Sequence, residues 1–290
     1  MKTKALQFIK GIALAGSLLT TSTAIAEPLR IISAGSGVTE LIYALGAQDK
    51  LVAVDLTSRS YIEGDNIPQV GYHRQLSSEG LLALSPTHLI GSEAMGPNST
   101  LDILKASGVT VSTLPEGHTL KEFNQRIDSL AALTNKQEKA ELIKAEVSSR
   151  MKALTKEKPS NQPNVLFMMM AGERATHVAG DKTTINTVID LAGGNNPAAA
   201  SIDSYKALSY EAIVDMGPEY ILISERTWRE MNNAEAVLNA YPLLRATPAG
   251  MKGRILPVPT EAILGGFGIE SLNLAYSMNE MFRKNADGLK

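Results

Sequence analysis

The chain has 290 residues, 28 Lys and Arg against 30 Asp and Glu, and a formal net charge of −2; it lacks the basic excess that phosphate-backbone binding needs, which excludes nucleic acid as a partner. The absence of cysteine excludes thiol catalysis, disulfide exchange and Cys-ligated metal. A hydrophobic share of 44% over this length is enough for one large core or two smaller ones.

Lys2 and Lys4 open the chain, an apolar run follows to about Leu19, and small residues end in Ala24-Ile25-Ala26 before Glu27. A basic start, an apolar run shorter than the roughly 20 residues of a membrane span and an A-x-A site define a secretory signal peptide over residues 1–26. Cleavage after Ala26 leaves 264 residues with 25 basic and 30 acidic side chains. No later stretch is apolar and long enough to span a bilayer, and the signal has no cysteine for a lipid anchor. The mature chain is therefore expected free in the periplasm.

The mature part opens with the strand pattern Leu29–Ser33, a Gly35-Ser36-Gly37 turn and the apolar-periodic Leu41–Leu45, which Gly46 stops. Leu51–Val54 reads as the next strand, followed by a helix at Leu81–Leu84, a strand at His88–Ile90, a helix at Leu101–Ser107 and a strand at Val109–Val111. Alternating strands and helices predict a doubly wound, mainly parallel sheet. Residues 118–158 contain no Gly or Pro, and apolar side chains recur every three or four positions from Phe123 to Leu154. This predicts one long amphipathic helix over 120–157, with Thr134-Asn135 as its weakest point. A second series of strands and helices starts at Val165–Met169 and runs through Thr184–Leu191, Tyr220–Ile223, Ala234–Ala240 and Arg254–Val258 to a closing helix at Gly268–Phe282. The predicted architecture is α/β: two Rossmann-like lobes, 27–119 and 158–290, with mainly parallel sheets, joined by the long helix and enclosing a ligand cleft.

An internal repeat supports two similar lobes. Leu76-Ser77-Ser78-Glu79 … Pro86 … Ser92-Glu93 matches Leu208-Ser209-Tyr210-Glu211 … Pro218 … Ser224-Glu225 at a constant offset of 132 residues. Each unit reads as a Ser-capped helix with Glu in its first turn, a Pro turn and a buried strand. Capping accounts for either unit alone, but not for two in register.

With these residues in view, the mature chain resembles the class III periplasmic binding proteins that serve ABC importers. The start Ile31-Ile32-Ser33 … Thr39-Glu40 … Leu45-Gly46, the strand Leu51–Asp55, Ile67–Tyr72 and both repeat units carry the resemblance. Val70-Gly71-Tyr72-His73-Arg74-Gln75-Leu76-Ser77 and Leu191–Asn196 are most similar to the haem-binding branch. The resemblance implies capture of ferric haem by a monomeric carrier, delivery to an inner-membrane permease dimer with its ATPase, and no catalysis. It also implies roles for residues. Tyr72 would be an axial ligand of haem iron, since phenolate is a hard anionic donor, with Arg74 favouring the phenolate. His177, read as a loop residue opposite Tyr72, would be a second axial ligand. Glu79 and Glu211, one per lobe, would meet the two permease subunits.

Taken alone, these residues admit plainer readings: Tyr72 as a packing residue, Arg74 as a surface charge, His177 as a loop histidine and the two Glu as helix-end charges. His73 is expected to point away from the ligand, His88 to pack in the core and His118 to lie on the surface; four scattered His make no zinc site. Met95, Met168, Met169, Met170 and Phe267 are candidate cleft walls, although the Met run also suits a buried central strand. Arg59, Arg174, Arg226 and Arg229 are candidate partners for haem propionates. A ferric siderophore or a corrinoid is the alternative ligand. An enzyme is disfavoured, because Gly35-Ser36-Gly37 lacks a complete G-x-G-x-x-G and no P-loop lysine or G-x-S-x-G elbow is present.

Overall fold

The computed structural model describes residues 28–170 and 175–287. The signal peptide with its cleavage site after Ala26, and the candidate Arg174, lie outside the described residues.

The first half alternates β1 (Ile31–Ala34), α1 (Ser36–Ala44), β2 (Leu51–Val54), α2 (Ser78–Leu82), β3 (His88–Ser92), α3 (Asn98–Ala106) and β4 (Thr110–Leu114). Its four strands are all parallel in the order β2-β1-β3-β4. β1 is central and buried along its whole length, which is why it reads as a continuous apolar run rather than an alternation.

The connecting segment is two helices, α4 (Leu120–Thr134) and α5 (Gln137–Lys156), instead of one. Thr119 and Glu122 form a capping box at the start of α4. Asn135 ends it in the left-handed conformation, and the Lys136 N–H donates back to Ala131 O at 2.9 Å, a Schellman-type stop that Asn tolerates better than most residues. Lys144 reaches Asp128 at 2.6 Å, so the two helices run back alongside each other. In one straight helix these residues would lie roughly 24 Å apart.

The second half contains β5 (Val165–Met169), β6 (His177–Ala179), α6 (Thr184–Leu191), β7 (Tyr205–Ala207), α7 (Tyr210–Asp215), β8 (Tyr220–Ser224), α8 (Glu225–Met231), α9 (Ala234–Ala240), α10 (Pro248–Met251), β9 (Ile255–Val258) and α11 (Ile269–Asp287). Its sheet order is β7-β6-β5-β8-β9. β5, β8 and β9 are parallel, as the alternation predicts. β6 and β7 add two antiparallel strands; at three residues each they are too short to show a period.

The lobes share one buried cluster that runs from Ile31, Leu41 and Phe123 to Phe167, Phe267 and Phe282. The chain also crosses between them a second time. The segment between β9 and α11 packs on the first lobe: Phe267 N–H donates to Gly117 O at 3.0 Å, Arg126 donates to Phe267 O, and Ser36 Oγ donates to Leu264 O at 3.2 Å. Gly37 and Gly265 touch backbone to backbone, since a Cβ on Gly37 would lie 2.3 Å from Gly265 O. Phe267 is therefore core, not a cleft wall.

Candidate ligand-binding cleft

The carboxyl ends of parallel strands collect the loops that bind ligands, and here both sheets direct these ends to one groove. Residues after β2 (Leu56, Arg59, Gln69), after β8 (Glu225, Arg229) and after β9 (Glu261) line an open space of about 790 Å³.

Tyr72 is not among the residues that line this space; it follows Gly71 on a loop that backbone bonds tie to the groove residue Leu56. Val70 N–H donates to Val54 O at 2.9 Å, and Leu56 N–H donates to Gly71 O at 2.7 Å, which ties the loop beside β2. Gly71 supplies φ +87°, a conformation with no penalty for glycine. On the other side Gly96 N–H donates to His73 O at 2.9 Å, and Leu76 N–H donates to Gly96 O at 2.8 Å. The phenol is 38% exposed on this rigid support, beside the 51%-exposed Leu56. Arg74 is exposed two residues on.

The next side chain turns the other way. His73 is 5% exposed, and its Nδ1–H donates to Asp55 Oδ2 at 2.9 Å. Asp55 is fully buried and also accepts from Gly35 N–H, Thr57 N–H, Thr57 Oγ and Ser58 Oγ. Burial alone would raise its pKa, but the bonds from His73, Thr57 and Ser58 outweigh that and hold the carboxyl below its ordinary range. Sequence reasoning missed Asp55 as part of this site. The available signal was an Asp directly at the carboxyl end of the apolar run Leu51–Val54.

His177 is not a loop residue but the first residue of β6, paired with Met169 at the carboxyl end of β5. Opposed residues of an antiparallel pair face the same side; Met169 is 37% exposed and His177 is exposed with it. The Nδ1–H of His177 donates to Ala175 O at 3.0 Å, which leaves Nε2 with a free lone pair suited to a metal. Met168↔Ile223 is the next step of the ladder, so His177 lies on the edge from which Glu225 enters the groove. Among the described residues no hydrogen bond or ring contact joins Tyr72 to His177.

The other candidates separate by burial. Met95, Met168 and Met170 are core residues, at 4%, 0% and 7% exposure. Arg59 and Arg229 line the groove from opposite lobes, whereas Arg226 pairs with Glu230 at 3.2 Å on α8. His88 bonds Thr87 at the start of β3. His118 is not a surface residue; it is half-buried and bonds Thr184 of the other lobe at 3.1 Å.

Glu79 and Glu211 are both exposed in the first turns of α2 and α7. Ser209 caps its helix by accepting from Ala212 N–H, but Ser77 makes no such bond, so the repeat is closer in sequence than in capping.

A family profile described as Periplasmic binding protein matches residues 31–262. Among solved structures the chain is similar to the periplasmic Heme binding protein HutB of Vibrio cholerae, with 44% identity over 87% of this chain and 98% of that one and a TM-score of 0.82. It is also similar to the periplasmic heme-binding protein RhuT from Roseiflexus sp. RS-1 in apo form, with 31% identity over 89% and 99% of the two chains and a TM-score of 0.82. A curated relative, the Vitamin B12-binding protein of Vibrio cholerae serotype O1, is 28% identical over 80% of this chain and 89% of its own length.

Proposed function

This chain belongs to the periplasmic binding proteins, and on that footing we propose that it captures ferric haem in the groove between its lobes and delivers it to an inner-membrane ABC permease. The observation that carries the reading is the exposed Tyr72 phenol on a loop tied by backbone bonds to the groove residue Leu56. It is supported by the 44% identity to a haem-binding protein. Phenolate is a hard anionic donor suited to ferric iron, and the exposed Arg74 follows two residues later. His177 would supply an imidazole nitrogen from the second lobe. Leu56 and Met169 offer apolar contact to a flat macrocycle, and Arg59 and Arg229 offer guanidinium partners for carboxylates.

Glu79 and Glu211 would present one carboxylate per lobe to the paired permease subunits, an arrangement that guides encounter and orientation more than affinity. An exported chain cleaved after Ala26 would do this as a free periplasmic monomer.

The test is a titration of the mature protein with ferric haem, followed by absorption, beside Tyr72→Ala and beside titration with a corrinoid. A saturable spectrum with a tyrosinate charge-transfer band, lost in the variant, supports the reading, and the end-point gives the number of haems per chain. Saturable binding of the corrinoid with no specific haem spectrum would overturn it.

A further inference from the structure

Beside Tyr72 lies a buried pair that ligand binding as proposed leaves unused. Asp55 accepts five hydrogen bonds, from Gly35 N–H, both polar groups of Thr57, Ser58 Oγ and His73 Nδ1. A carboxylate has about four lone-pair sites, so this one is saturated and has no freedom to swing. His73 is consequently fixed twice, by Asp55 at its ring and by Gly96 at its carbonyl. Its ring centroid lies 4.5 Å from that of Tyr72, with the planes tilted by 57°, inside the range of favourable aromatic pairs. Among the described residues the Tyr72 hydroxyl takes part in no hydrogen bond, so the imidazole is the ordered aromatic surface against which the phenol rests.

We propose that Asp55 and His73 form a positioning pair for Tyr72: Asp55 locks the imidazole, and the locked imidazole fixes the direction in which the phenol leaves the loop. The inference rests on the reading of Tyr72 as the haem ligand. A ligand presented on a rigid seat loses little conformational freedom when it binds, and the pair achieves this from within one lobe, before a second lobe contributes. His73 never touches the haem in this account.

Two variants separate the elements of the pair. His73→Asn keeps a donor for Asp55 and removes the ring; His73→Phe keeps a ring and removes the bond. In apo protein labelled at tyrosine, with Tyr72 assigned by its loss in Tyr72→Phe, His73→Asn should move the Tyr72 ring resonances and His73→Phe should broaden them. With haem bound, both variants should retain a tyrosinate band but shift it, and haem should dissociate roughly three- to tenfold faster, the range spanned by an aromatic pair. Tyr72 resonances and a dissociation rate unchanged in both folded variants would overturn the proposal. If wild-type haem shows no tyrosinate band, the ligand reading fails instead, and the apo resonances still decide whether His73 seats the phenol.

Discussion

Glu40 is a carboxyl held where a carboxylate is costly. It lies on α1 of the first lobe, 6% exposed, and accepts the N–H groups of Ile269 at 3.1 Å and Glu270 at 2.9 Å, in the first turn of α11. Burial pushes its pKa up from 4.5 to about 7; the two backbone bonds and Arg126 oppose the rise, and the neighbouring Glu270 carboxylate adds to it. The sign follows from proton binding. Below 4.5 the carboxyl is protonated both folded and unfolded and has no effect. Between 4.5 and 7 the folded chain holds a proton that the unfolded chain has released, so stability falls as pH rises. At about 1.4 kcal/mol per pH unit, the loss amounts to about 3 kcal/mol above pH 7. Glu40→Gln removes this titration. Its single carbonyl oxygen cannot serve both N–H donors as the two carboxyl oxygens do, but that cost does not vary with pH. Urea unfolding of both proteins at several pH values between 4.5 and 8 isolates the effect, because every other group cancels in the difference. The stability of the variant relative to wild type should improve by about 3 kcal/mol over that range, most of it below pH 7. A difference that stays flat with pH would rule out a raised pKa for Glu40 in the folded chain.

His177→Ala should leave haem bound through Tyr72, but with a changed spin-state spectrum and dissociation faster by at least about tenfold, the lower bound for groups that support a metal site; stopped-flow transfer to apomyoglobin reads the rate. Glu79→Lys and Glu211→Lys should leave haem titrations unchanged while lowering transfer into proteoliposomes that contain the permease and its ATPase, the double variant most, with the wild-type rate falling as salt rises. Gly37→Ala places a methyl group 2.3 Å from Gly265 O, and should destabilise the fold by about 1–3 kcal/mol, seen as a lower urea midpoint.

Elements with a long or strong period were legible. The five-residue apolar strands Val165–Met169 and Tyr220–Ser224 stand out because both faces are buried. Residues 120–157 read as one helix weakest at Thr134-Asn135, and the break falls there; the reversal was not legible, because it depends on one left-handed residue and periodicity does not report direction. β7 is exposed along its length, so it exists through its pairing with β6, which no local pattern announces. Near the candidate site, the inward turn of His73 was legible through alternation in an extended segment. Asp55, Glu40 and Arg126 were not, because each acts through partners 18 or more residues away: His73 for Asp55, Ile269 for Glu40 and Phe267 for Arg126. The Met run shows the same limit. Met168 and Met170 are core while Met169 is exposed, a division set by the sheet and not by composition.

The inter-lobe contacts also bear on how a captured ligand would be released. At the hinge, buried groups dominate: Arg126 on Phe267 O, Glu40 on α11 and the Gly37–Gly265 contact lie next to a core shared by both lobes. Opening there would break the bonds from Arg126 to Phe267 O and from Ile269 and Glu270 to Glu40 together, at about 1 kcal/mol or more each. The bond between His118 and Thr184 is different in kind: it is half-exposed, and a neutral bond of this type contributes about 1 kcal/mol. A permease that gripped Glu79 on one lobe and Glu211 on the other would therefore meet a structure whose peripheral contacts should yield before its hinge. The expected motion is a small rock about the Gly37–Gly265 contact. Tyr72, seated within its own lobe by His73 and Asp55, keeps its geometry through such a rock, whereas His177 travels with the opposite sheet. If Tyr72 and His177 both hold the haem iron, release should begin on the His177 side, and an experiment that follows both during transfer should see the imidazole leave before the phenolate.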